Sequence, residues 1–192
     1  MPILILGLIL FLGTHSLHML APRWRDRVVA RIGLLPWKGS YSVVSIAGFV
    51  LIVIGFGMTR AFPHLLYVPP MWLKRLNALF TLVAFVLVFA AYIPRNHLKA
   101  KLGHPMLAGV KLWALGHLLA TGSMRDVVLF GAFLAWAVAD FAVLRRRDRK
   151  AGGVCPQGAP AFDALTVVAG VVAWAIFAFL LHGPLIGVNP FA

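Results

Sequence analysis

The sequence predicts an all-α integral membrane protein, a six transmembrane helix bundle with its N- and C-termini on the periplasmic side. Three observations carry this. Of 192 residues, 61% are hydrophobic and only 12% charged, a balance outside the range of soluble globular domains. The apolar residues gather into six runs near the roughly 20 residues that cross a hydrocarbon core. The basic residues, which give a net charge of +13, sit in short segments between those runs, as membrane topology requires and as a nucleic-acid-binding stripe does not. Nucleic acid is therefore excluded as a partner, and the lipid bilayer takes its place. Without internal repeats, residues 1–192 read as one membrane domain.

The first run, Pro2–Ala21, has no basic segment before it and Arg23, Arg25 and Arg27 after it. That order predicts a retained helix with its N-terminus outside rather than a cleaved signal. The second, Tyr41–Thr59, follows a segment holding Pro22 and Pro36. The third, Leu76–Ile93, lies between Pro69-Pro70 and Pro94. The fourth, Pro105–Thr121, is the shortest and most polar, opening on Pro105 and closing at Gly122, residues that start and stop helices. The fifth, Asp126–Leu144, runs into the basic block Arg145–Lys150, a stop-transfer signal facing anionic headgroups. Pro160 precedes the sixth, Phe162–His182. Helices are the open-ended structures that satisfy their own backbone in lipid.

With the N-terminus outside, the inner loops Pro22–Ser40, Pro94–His104 and Arg145–Ala161 hold thirteen of the 18 Lys and Arg residues. The outer loops hold four, Arg60, Lys74, Arg75 and Arg125. This asymmetry places the inner loops in the cytoplasm and predicts a multi-pass protein of the bacterial inner membrane. Trp24, Trp37, Trp72 and Tyr41 fall near the interfaces, where amphipathic rings anchor. The single cysteine, Cys155, excludes an internal disulfide.

Polar side chains within the runs are few, and such groups are costly in lipid unless they serve a purpose. Lys111 lies roughly 9 Å in from Pro105 and Asp140 roughly 7 Å in from Arg145, at 1.5 Å per residue. Neighbouring antiparallel helices would pair them, each lowering the other's cost of burial. His15 and His18 share a face of the first run, and His117 lies in the fourth. Two imidazoles on separate helices fit a haem, a proton relay or two interhelical hydrogen bonds, and spacing alone leaves these open. A haem would need Arg or Lys near its propionates, and Trp113, one turn before His117, could wall the pocket. Helix rise also sets a gap of about 10 Å in depth between His15 and His117, which leaves His104 or His18 as a competing ligand.

The runs LILFLGTHSLHMLAPRWRDRVVARIG, PWKGSYSVVSIAGFVLIVIG, HPMLAGVKLWALGHLLATG and LFGAFLAWAVAD resemble the NnrU family of bacterial membrane proteins, from about Ile5 to Arg147. The resemblance implies a context in nitrite and nitric oxide metabolism, that is, denitrification. It extends to the haem b-binding zeta-carotene isomerases, whose axial ligands fall at positions matching His15 and His117. Those enzymes carry a cysteine three residues before the second histidine, where this chain has Ala114. The thiol for a redox-controlled ligand exchange is thus missing there.

The expectation is therefore a haem b protein with His15 and His117 on the iron. Lys111 and Arg23 would lie near the propionates, and Trp113 beside the ring. Its chemistry would be that of a haem-dependent isomerase or oxidoreductase, acting on a hydrophobic or isoprenoid small molecule or on NO. Two alternatives stand beside it. One is an accessory membrane protein without a cofactor. The other is a membrane methyltransferase-like enzyme, whose cofactor region the His104–Pro105 pair resembles.

Overall fold

The computed structural model describes residues 1–61, 64–152 and 158–191, so Pro63 and Cys155 lie outside the described residues. The chain is all-helical, with 85% of it in helix and no strands among the described residues. In chain order the helices are α1 (Pro2–Leu20), α2 (Pro22–Ile32), α3 (Leu34–Met58), α4 (Met71–Tyr92), α5 (His97–Leu102), α6 (Pro105–Ala120), α7 (Met124–Lys150), α8 (Pro160–Ala175) and α9 (His182–Ile186). A 3-10 turn, Thr59–Ala61, ends α3, and a π-helical stretch, Ile176–Leu181, joins α8 to α9.

Five segments are long and apolar enough to cross a membrane: α1, α3, α4, α7 and the run Pro160–Ile186. Only about a fifth of each is buried within the protein. Large apolar side chains point outward along them, such as Ile9 at 63%, Val43 at 68% and Phe179 at 65% exposure. Water would penalise such a surface, whereas lipid tails match it. The expected fourth span is the 16-residue helix α6, about 24 Å long against a core of about 30 Å.

Helix boundaries depart from the sequence expectation at charged and proline-containing segments. The segment Pro22–Ser40, expected as a loop, folds into α2 and the first turns of α3. Pro36 falls in the first turn of α3, where its missing N–H is no loss. Helix α7 continues through Arg145, Arg146, Arg147 and Arg149 to Lys150, because basic residues propagate helix well and suit its C-terminal dipole. The loop Pro94–His104 contains α5.

Contacts divide the chain into two units, Met1–Leu66 with Ser123–Ala132, and Tyr67–Gly122 with Phe133–Ala192. In the first, α1 and α3 pack antiparallel at backbone contact. A Cβ on Gly7 would lie 2.6 Å from Ile52 N, and one on Gly48 2.7 Å from Phe11 N. Small residues allow this approach, and van der Waals contact then holds the pair where lipid offers no hydrophobic drive. The start of α7 is capped within this unit, since Ser123 donates to Asp126 from N at 3.3 Å and from Oγ at 2.5 Å.

In the second unit α4 packs against both α6 and α8. Gly170 of α8 lies directly on the Val86 backbone, and Trp174 Nε1 donates to Thr81 Oγ1 at 3.0 Å. One end of this unit is tied by polar contacts. Asn96, 1% exposed, accepts from Lys99 N at 2.7 Å and donates to Ala90 O at 2.9 Å and Ile93 O at 2.6 Å. Asp163 accepts from His97 N at 2.7 Å and meets His97 Nδ1 at 2.5 Å. Asp148 of α7 meets His104 Nε2 at 2.9 Å.

Candidate functional site

His15 sits five residues before the end of α1, in a run of three polar side chains, Thr14, His15 and Ser16. Each bonds to the carbonyl four residues back, at 2.6, 2.7 and 2.7 Å, so that Leu10, Phe11 and Leu12 each accept a second hydrogen bond. No water is needed to satisfy these donors in lipid. The contact to Phe11 O is made by His15 Nδ1. A carbonyl oxygen only accepts, so Nδ1 carries the proton, and in the neutral ring the lone pair resides on Nε2. The Phe11 ring lies 4.3 Å from the imidazole by centroid, and the Tyr41 ring meets it edge-on at 5.3 Å.

His117 has the same arrangement in α6. Its Nδ1 meets Trp113 O at 2.8 Å, which again assigns the proton to Nδ1 and the lone pair to Nε2. Trp113 packs beside it at 5.4 Å and is met edge-on by Phe133, also at 5.4 Å. The helix end around His117 is held firmly. Thr121 donates to His117 O from N at 2.9 Å and from Oγ1 at 2.6 Å, and Tyr67 Oη donates to Leu118 O. Gly116, just before His117, abuts Asn77 Oδ1 of α4, leaving no room for a Cβ. These contacts fix where α6 ends and how the imidazole is presented.

The structure brings together some of the residues expected at the site. Trp113 stands against His117. Lys111 takes a different partner, its Nζ lying 3.5 Å from the centroid of the Phe141 ring. The expected Lys111–Asp140 ion pair is not among those of the described residues. Asp140 precedes Phe141 by one residue and is rotated about 100° from it around α7. It is buried at 3% exposure. The cation thus rests on an aromatic face, a favourable contact once water is removed. His15 and Arg23 belong to the first unit, Arg23 lying exposed on α2, and His117, Lys111 and Trp113 belong to the second.

Phe11, Tyr67 and Asn77 are not marked out by the sequence, which offers Tyr41 only as an interface anchor. Phe11 could have been found, since it stands four residues before His15 and Trp113 stands four before His117. An aromatic residue whose carbonyl accepts from the histidine one turn on is a pattern readable at that spacing. Tyr67 and Asn77 come from distant parts of the chain and leave no local signal. Among the described residues no group of three or more His, Cys, Asp or Glu could hold a metal ion.

A family model described as NnrU protein matches residues 3–190. No curated protein and no solved structure matches the chain.

Proposed function

The chain belongs to the NnrU family, and on that premise we propose that it is a multi-pass inner-membrane protein that binds haem b through His15 and His117. The observation that carries this reading is the shared state of the two rings. Each donates Nδ1–H to the carbonyl four residues back, which fixes its orientation and supports Nε2 as the nitrogen that would meet iron. Metal-bound histidines are held by such a bond on their second nitrogen. Each ring is also flanked by aromatic side chains of the kind that line a porphyrin pocket.

When bound, haem b supplies a one-electron iron centre, whose potential is set by its axial ligands and by the burial of the site. The chain's own residues supply the rest. Phe11 and Trp113 hold the imidazole protons through their carbonyls, and Trp113 and Phe133 keep water from the second ring. Lys111 is the cation that would meet the propionates. In this reading α6 is a sixth span, short and tied at both ends, and both termini face the periplasm, as the charge asymmetry requires. The role is redox transfer or sensing in nitrite and nitric oxide metabolism.

The test is spectroscopic. Protein purified in detergent from haem-replete cells is expected to carry a Soret band that sharpens on reduction with dithionite. His15→Ala and His117→Ala should each abolish or shift it. His182→Ala should leave it unchanged, although His182 Nδ1 also meets a carbonyl, that of Val188, at 2.7 Å. A folded, colourless preparation would overturn the proposal and favour an accessory protein without a cofactor.

A further inference from the structure

Helix α2 is the element that the membrane spans do not explain. Its 11 residues, PRWRDRVVARI, have no buried member. Arg23, Arg27 and Arg31 recur every fourth residue and so form one stripe along the helix. All three are exposed. Trp24, Val28 and Ile32 recur at the same spacing one residue on, giving an adjacent apolar stripe, and Trp24 meets Trp37 of α3 edge-on at 5.9 Å. The fourth arginine, Arg25, is neutralised by Asp26 at 2.8 Å. Among the described residues no carboxylate pairs with the stripe in this way, and Arg27 Nε donates to Arg23 O at 3.3 Å.

This pattern is unfavourable for the helix itself. Like charges four residues apart repel. The first turn contains no acidic residue, so Arg23 faces the positive end of the helix dipole. Such a stripe calls for a counter-charge from outside the helix. Position decides what that is. Only Ala21 separates α2 from α1, and only Gly33 separates it from α3. Gly33 has φ of +87°, a conformation that glycine adopts without strain and that turns the chain in one residue. Held between two spans, α2 cannot leave the membrane surface, where its apolar stripe enters the headgroup boundary and its cations face phosphates.

We propose that Arg23, Arg27 and Arg31 form a docking stripe for the headgroups of anionic glycerophospholipids. Their positive charge draws them to phosphate headgroups, each cation near the surface being worth about 1 kcal/mol. The stripe is distinct from the basic block at the end of α7.

The test uses the full chain in bilayers of phosphatidylglycerol and phosphatidylcholine, reading the relative association of spin-labelled forms of each lipid. The wild type should prefer phosphatidylglycerol by about fivefold or more, the worth of one juxtamembrane cation. Combined Arg23→Gln, Arg27→Gln and Arg31→Gln should cut that preference to less than half, with helicity unchanged by circular dichroism. The matching triple Lys variant should keep most of it, and Arg146→Gln with Arg149→Gln should leave most of it in place. An unchanged preference in the triple Gln variant would overturn the proposal. So would a loss that the Lys variant does not restore, because headgroup docking follows charge. Displacement of the lipid by inorganic phosphate at matched ionic strength would assign the stripe to a soluble anion. Saturable binding of poly-glutamate without lipid preference would assign it to an acidic protein. Either result contradicts the lipid assignment.

Discussion

His15 and His117 lie on different helices yet make the same local bond, Nδ1 to the carbonyl one turn back. The histidines themselves were legible in the sequence, because an imidazole within an apolar run is costly unless used. The partner of Lys111 was not, because residues 140 and 141 both lie within reach by depth and only the rotation of α7 chooses between them. Packing turned Phe141 toward the cation. Asn96 shows the same limit. Its position before HLK marks it as a helix N-cap, but nothing local indicates that its amide also holds two carbonyls at the end of α4. Replacing it with alanine removes three hydrogen bonds at a buried site, at an expected cost of about 2–3 kcal/mol. Thermal unfolding in detergent measures this, and Asn96→Asp, which keeps the acceptor and loses the donors, should fall between the two.

At the scale of elements, the long helices were readable because apolar runs of span length leave few alternatives in lipid. Their ends were less so. Proline and arginine suggest stops, whereas Pro36 enters the first turn of α3 and the arginines of α7 extend it past the apolar run. Helix α2 was hidden inside a charged loop, although Pro22 at its first position and Gly33 just past its end are the usual marks of a helix. The seam between α1 and α3 depends on glycine. Gly48→Ala would push a methyl group into the Phe11 backbone, with an expected loss of about 1–3 kcal/mol. Gly13→Ala, on the same hairpin but with nothing within 4 Å of the new Cβ, should be neutral or stabilising by helix propensity. Equal losses at the two positions, in the same unfolding assay, would show that the seam is not set by close backbone approach.

For the whole molecule, composition points to lipid as the solvent, and the outward-facing apolar side chains agree with it. The orientation rests on the distribution of basic residues. Because the chain has one cysteine, that orientation can be checked without mutation. A membrane-impermeant maleimide should label Cys155 in inverted vesicles and not in intact right-side-out ones, and the reverse pattern would invert the topology. The cofactor is the point on which the functional account stands. Haem binding as proposed needs both His15 and His117 on the iron. Electron paramagnetic resonance of the purified ferric protein measures this directly. Paired imidazole ligation gives a six-coordinate low-spin signal that turns high-spin or disappears in both His15→Ala and His117→Ala. A haem signal that survives either substitution unchanged, or a protein without haem, would contradict the account.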